Sequence, residues 1–208
     1  MTSASSRCKR PLTTLVVATL NRGKAREFVR LLAGWPFTIE LLADRSGATL
    51  PDETGATYRD NALLKARAAA QQTGALSLAD DSGLEVDALA GAPGVRSARY
   101  GGPGLDDAGR VARLLEALRA VPDAQRTARF RAVVAVVAPS GEEQVAEGVV
   151  EGVITREPRG AGGFGYDPVF FYPSLGATFG ELPDEQKDRV SHRAVAVRAL
   201  RAPLEQNA

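Results

Sequence analysis

The chain has 208 residues, 44% of them hydrophobic, which suits one domain with a sizeable core. Its 26 basic and 25 acidic residues leave a formal net charge of +1, so no global field selects a nucleic acid or a membrane surface. One cysteine, Cys8, and one histidine, His192, exclude an internal disulfide framework and an ordinary structural zinc site, leaving hard cations on oxygen ligands as the metal chemistry.

Residues 1–12, MTSASSRCKRPL, read as a disordered polar tail. No apolar run long enough for a signal peptide follows Arg7, Lys9 and Arg10. No stretch approaches the ~20 apolar residues of a membrane span either, so a cytoplasmic protein is expected. Thr13 to Ala18 is a short buried strand, and Gly23 to Leu32 a helix with Phe28, Leu31 and Leu32 at helical spacing. Phe37 to Leu42 is a second strand; Ala43 to Gly55 is a loop carrying Asp52 and Glu53. The alanine-rich stretch Thr57 to Thr73 predicts a helix with Gly74 as its C-cap. Leu76 to Ala79 predicts a short buried strand that ends directly in the turn Asp80-Asp81-Ser82-Gly83.

Gly91 to Gly104 is a loop by its glycines and prolines, after which Asp106 caps a helix with the apolar stripe Val111, Leu114, Leu115 and Leu118. Ala128 to Ala138 and Gln144 to Thr155 read as a hairpin closed by Pro139-Ser140-Gly141. A glycine-rich loop, Glu157 to Asp167, leads into the strand-like Val169-Phe170-Phe171-Tyr172. A final helix starts at Ser191 and is expected to stop at Pro203. Helices and strands interleave, but the hairpin breaks a purely parallel order, so the fold class is α/β with a mixed sheet.

Four clusters carry candidate chemistry. Thr19, Asn21 and Lys24 sit where a strand hands over to a helix, a place where free N–H groups and a lysine hold anions, although an ordinary turn has the same composition. Asn61 and Lys65 share a helix face, with Tyr58 one turn earlier and Glu53 just before. Asp80 and Asp81 follow an apolar strand, where paired carboxylates either hold Mg2+ or take a proton from water; a self-capping Asp turn competes at even odds. The loop GAGGFGYD formally matches a dinucleotide fingerprint through Gly160, Gly162 and Gly165. No helix follows it, so it reads better as a mobile loop offering Phe164 and Tyr166 to a planar ligand and Asp167 as a polar contact. A lone histidine such as His192 is more often a capping or core residue than a catalyst; its neighbours Lys187 and Arg193 shift the balance modestly towards anion or base-edge recognition.

Taken in order, TLNRGKAREF, ETGATYRDNALLKA, LADDSGLEVDALAGAPGVRSARYGG, GVITREPRGAGGFGYDPVFF and SHRA resemble the inosine/xanthosine triphosphate pyrophosphatase family, the non-canonical purine NTP pyrophosphatases (HAM1-like). The resemblance spans Leu15 to Leu200. It implies an elongated mixed sheet with flanking helices, a single two-lobed domain over residues 13–208 with a cleft between the lobes, and a homodimer. It implies Mg2+-dependent hydrolysis of ITP, dITP and XTP to monophosphate and pyrophosphate, with no nucleic-acid or membrane partner. By motif position, Thr19, Leu20, Asn21, Arg22, Gly23, Lys24 and Lys65 hold the triphosphate, and Ser82 lies against the substrate. Glu53 and Asp81 handle the metal, with Asp81 the proton acceptor and Asp80 its catalytic neighbour. Phe164, Gly165, Tyr166, Asp167, Lys187, His192 and Arg193 form the base pocket, and Arg99 is a weaker phosphate candidate.

One position departs from the family: Leu20 stands where a glycine is usual, which bears on how closely that loop's backbone approaches phosphate. Two rival readings compete with the main one, a pyrophosphatase for another base and a non-catalytic nucleotide sensor. The presence of Glu53, Asp80 and Asp81 speaks against the second.

Overall fold

The computed structural model describes residues 13–206, so the tail expected over residues 1–12, with Cys8, lies outside the described residues. Strands β1 (Thr13–Val17), β2 (Phe37–Leu41), β3 (Leu76–Val86), β4 (Thr127–Val137), β5 (Glu143–Ile154), β6 (Phe170–Tyr172) and β7 (Ala177–Thr178) form one seven-stranded sheet. Its order is β2-β1-β3-β4-β5-β6-β7. The first three run parallel and the rest antiparallel, the mixed sheet expected from the hairpin. The helices are α1 (Arg22–Leu31), α2 (Tyr58–Thr73), α3 (Asp107–Ala117), α4 (Asp184–Val190) and α5 (His192–Gln206). Among the described residues no helix is long and apolar enough to cross a membrane.

Local chemistry sets the helix ends. Thr57 Oγ1 accepts from the Asp60 N–H at 3.1 Å and the Asp60 carboxylate accepts from the Thr57 N–H at 3.2 Å, a capping box for α2. Gly74 closes the same helix at φ +64°, a left-handed conformation that glycine adopts without penalty. Asp106 caps α3 through the Gly109 N–H, and Val111, Leu114 and Leu118 on its inner stripe are buried.

Three expectations need correction. β3 does not stop at Ala79; it runs on through Asp80-Asp81-Ser82-Gly83 to Val86. The reason is its partner: β4 pairs with β3 from Ser77 opposite Val137 to Val86 opposite Ala128, giving every backbone group on that side a ladder bond. Gly83 pairs within this strand opposite Arg131, and the position admits only glycine because a Cβ there would lie 2.3 Å from the Gly94 carbonyl oxygen. α5 does not end at Pro203 either. The missing N–H costs one bond near the helix terminus, while buried Leu204 joins the cluster around Trp35 and holds the last turn down. Finally, the polar heptapeptide Asp184–Val190 forms α4, for which no helix was expected.

Strands β3 and β4 thread two packing regions. Near their β1 end, Leu78, Val134 and Val136 pack with Leu15, Phe28 and Val197 on one face, while Ala79, Val133 and Ala135 meet the α2 alanines on the other. Near their far end, Leu84, Val86 and Phe130 pack with Leu114, Val150 and Phe170. Arg126 ties that second region together. Almost fully buried, its guanidinium donates to the carbonyls of Leu118, Ile154 and Thr155 at 2.7, 2.8 and 2.7 Å. An Arg126→Met variant removes donors from the Ile154 and Thr155 carbonyls, while Leu118 keeps the Val121 N–H at 3.0 Å, and should lose about 2–4 kcal/mol of stability, read from urea unfolding midpoints. A loss under about 1 kcal/mol would show that water replaces the guanidinium freely.

Candidate active site

The site opens where β1 leaves the sheet. β1 lies beside β3 only from Leu76 to Leu78, and after the Ala18 N–H donates to the Leu78 carbonyl at 2.7 Å the chain turns off through Thr19, Leu20 and Asn21. Beyond that point β3 loses its neighbour on one side, and a cleft forms there. Residues of β3, α1, α3, α5, the loop before α2 and the glycine-rich loop line it. Ligands gather at such places in α/β sheets, past the carboxyl ends of the parallel strands.

Because successive strand residues face opposite ways, the two adjacent aspartates serve different sides. Asp81 faces α2. Its Oδ2 accepts from Asn61 Nδ2 and its Oδ1 from the Ser82 N–H, each at 2.9 Å. Burial raises its pKa above the ordinary carboxylate value, and Lys65 and Lys24 pull back only part of that rise. Lys65, buried on α2, bonds the Glu53 carboxylate, while Arg99 reaches the Glu53 carbonyl at 3.4 Å and its carboxylate at 3.9 Å. A carboxylate with a raised pKa, beside a lysine and a second carboxylate, suits a proton acceptor at a phosphate site.

Asp80 faces α1 and α5. Its Oδ2 meets Lys24 Nζ at 3.1 Å and Arg193 Nε at 3.0 Å, and its Oδ1 is buried without a hydrogen-bond partner. Burial would raise its pKa, but Lys24 and Arg193 outweigh that and hold it far below the usual range. Asp80 therefore stays ionised and is a poor base. Arg193 also donates to Ser82 Oγ at 2.7 Å and to Glu27 Oε2 at 2.5 Å. Glu27 Oε1 in turn accepts from Lys187 at 2.6 Å, and Lys187 pairs with Asp167 of the glycine-rich loop. Burial pulls Lys187 down, yet Asp167 and Glu27 together raise it, so it remains a cation.

The aromatic residues complete this side. Lys187 Nζ and the Arg193 guanidinium lie 4.9 and 5.4 Å from the Phe164 ring centroid. That ring presses on the first turn of α1, where a Cβ on Gly23 would stand 2.7 Å from it. His192 stacks on Phe130 at 4.7 Å, and its buried Nδ1 has no partner. Burial first, then Arg193 and Lys187, push its pKa well below the ordinary value, so it is neutral near neutral pH. Tyr166 is buried, its hydroxyl donating to the Ser97 carbonyl at 2.9 Å.

Asn21, Lys24, Glu53, Asp81, Ser82, Phe164, Gly165, Tyr166, Asp167, His192 and Arg193 all line the one cleft, and Asp80, Lys65 and Lys187 stand directly behind it through ion pairs. Thr19 and Asn21 spend their side-chain oxygens on the local turn, accepting from the N–H groups of Asn21 and Lys24. Leu20 and Arg22 border a separate groove beside α1. Sequence reasoning passed over Glu27: it falls inside a helical stretch that reads as solvated, and only the fold reveals its burial between two cations. Among the described residues no group of three or more His, Cys, Asp and Glu forms a ready metal cage.

The sequence profile of the Ham1 family matches residues 15–203, almost the whole chain. The chain belongs to the Ham1 family. Among Ham1 relatives, the dITP/XTP pyrophosphatase of Desulforamulus reducens is 51% identical over 184 residues, covering 88% of this chain and 92% of that protein. That of Thermus thermophilus is 52% identical over 186 residues, 89% of each. A HAM1 protein from Coxiella burnetii superposes with a TM-score of 0.83 at 42% identity, covering 93% of this chain and 99% of that one. The resemblance read from five sequence blocks is thereby established.

The unusual Leu20 fits this Ham1 fold without strain. Its side chain is 55% exposed, and among the described non-glycine residues only Ala90 has a positive φ. The backbone here does not need glycine's freedom. Leu20→Gly should therefore shift stability by under about 0.5 kcal/mol and change kcat/KM by no more than about threefold. A gain of orders of magnitude would mark the natural chain as impaired.

Proposed function

We propose that the chain hydrolyses the non-canonical purine triphosphates dITP, ITP and XTP between the α- and β-phosphates, releasing nucleoside monophosphate and pyrophosphate. Relatives about half identical over nearly the whole chain carry the name dITP/XTP pyrophosphatase, which supports the substrate class. The observation that carries the mechanism is the division of labour on β3, with Asp81 on one face and Asp80 on the other.

Lys24 and Lys65 supply positive charge for the phosphates, with Asn21 at the start of α1. Asp81, its pKa raised by burial and its geometry fixed by Asn61 and the Ser82 N–H, takes the proton of the attacking water. Asp80 keeps Lys24 and Arg193 in place. Arg193 and neutral His192 present donors to a 6-keto oxygen, which accepts hypoxanthine and xanthine and disfavours the amino group of adenine. The Phe164 face receives the flat base.

The donor chemistry fits Mg2+: Glu53 and Asp81 are two hard carboxylates in a cleft that also admits phosphate oxygens, and this ion is commonly held by one or two carboxylates plus phosphate. When bound, it neutralises charge on the departing pyrophosphate. A cytoplasmic homodimer is the assembly we assign, on the family resemblance.

The test is product analysis. With Mg2+, pyrophosphate should appear from ITP, dITP and XTP, and little from ATP, GTP, dTTP or UTP. Orthophosphate as the sole product would sink α–β cleavage, pyrophosphate from a pyrimidine triphosphate alone would replace the base assignment, and tight binding without turnover would make the chain a sensor.

A further inference from the structure

A second guanidinium reaches the cleft from a different direction. Arg110, on the first turns of α3, lines the same cleft as Asp81, Phe164, His192 and Arg193. Its Nη1 is 3.1 Å from Asp107 Oδ1, and Asp107 Oδ2 accepts from the Gly165 N–H at 2.8 Å. The arginine is thus anchored to the glycine-rich loop next to Phe164. Its Nε–H is buried and has no hydrogen-bond partner. The neighbouring Tyr166 hydroxyl is turned to the Ser97 carbonyl. Arg193 spends one N–H on each of Asp80, Glu27 and Ser82, which leaves a second N–H on Nη1 and on Nη2 for the 6-keto oxygen and none to spare for the far side of the base.

The side chain as a whole is 21% exposed, and beyond the Nη1 contact with Asp107 its guanidinium keeps donors for an acceptor on a ligand in the cleft. Hypoxanthine, xanthine and guanine share the 6-keto group read by α5. They differ at the 2-position, which bears hydrogen, a keto oxygen or an amino group. A guanidinium has donors only. It pairs with the keto oxygen, gains nothing from hydrogen and faces the amino group donor to donor. Xanthosine also loses a ring proton readily near neutral pH, which places negative charge beside that keto oxygen and strengthens the bond to a cation.

We propose that Arg110 is a specificity-determining residue that donates to the 2-keto oxygen of xanthine, favouring XTP over ITP and helping to reject GTP. The inference rests on the purine-triphosphate reading above and adds a reader for the position that reading leaves open.

The experiment measures kcat/KM for XTP, ITP and GTP with Mg2+ in the full chain and in Arg110→Met and Arg110→Gln. Arg110→Met should lower the value for XTP by about ten- to a hundredfold, the usual worth of a charge-assisted hydrogen bond, with ITP within about threefold. Arg110→Gln, whose amide oxygen accepts from the guanine amino group, should raise GTP relative to ITP. It gives the same XTP-to-ITP ratio test if the methionine variant does not fold. Equal losses on ITP and XTP mean that Arg110 merely braces the loop through Asp107, and unchanged ratios mean that it does not touch the base; either overturns the proposal while the purine reading stands. A natural chain that turns over none of the three overturns that reading, and this inference with it.

Discussion

Asp81→Asn should lower kcat for ITP and XTP by about three orders of magnitude while leaving the melting temperature unchanged or slightly higher. Loss of a positioned base alone costs about 10^2–10^4 in rate, and Asp81 is also assigned to the metal. The amide is nearly the same size as the carboxylate and still accepts from the Ser82 N–H or from Asn61 through its oxygen. The stability half of the prediction follows from the direction of the pKa shift. Burial raises the Asp81 pKa above its unfolded value, so the ionised group opposes folding at neutral pH. That penalty is fully present above the folded pKa and is relieved as the pH falls through it towards the unfolded value. Asparagine removes the penalty at every pH. Near-normal turnover in the variant, measured by pyrophosphate release, would refute the role of Asp81 whatever the melting curve shows.

Asp81 also sets the acid limb of activity. Only the ionised carboxylate accepts a proton or holds a cation, so kcat should fall as acid protonates Asp81, and raising Mg2+ should move that limb to lower pH. Asp80 does not set this limb, because Lys24 and Arg193 keep it ionised far into acid.

Much of this site was legible before the fold because its parts sit at sequence landmarks. The Thr19–Lys24 turn follows an apolar strand, Asn61 and Lys65 are one helical turn apart, and the glycine-rich loop lacks the helix that a dinucleotide motif requires. The strand boundaries around the aspartates were less legible. Asp-Asp-Ser-Gly has turn composition, and nothing local announces that an antiparallel partner far along the chain, from Thr127 to Val137, will carry it through as strand. That pairing is what turns Asp80 and Asp81 to opposite faces, so a split that family resemblance had only named acquires its physical cause. α4 was illegible for another reason: its seven residues, DEQKDRV, are too short and too polar to show a period, and α5 and the buried Lys187 ion pairs hold it in place.

Glu27 is the residue the fold adds to the site, and removing its charge should have the second-largest effect. It is 3% exposed and is shared by Lys187 at 2.6 Å and Arg193 at 2.5 Å. Burial favours its neutral form, but Arg193 and Lys187 outweigh burial and lower its pKa below the ordinary 4.5. Its contribution to stability is therefore present above about pH 4.5 and is lost as the pH falls through the lower folded value. Glu27→Gln leaves two buried cations with less compensation, and breaking such a pair costs about 3–5 kcal/mol. The variant should unfold at lower urea at pH 7, and the gap from the natural chain should narrow as the pH drops below 4.5. Base selection should suffer with it, because Lys187 and Arg193 lose the anchor that aims them at the Phe164 ring: ITP and ATP should become more alike in kcat/KM. If the urea midpoint falls while the ITP-to-ATP ratio holds, Glu27 is a structural counter-ion alone. If neither moves, the two cations are held by Asp80 and Asp167 without it.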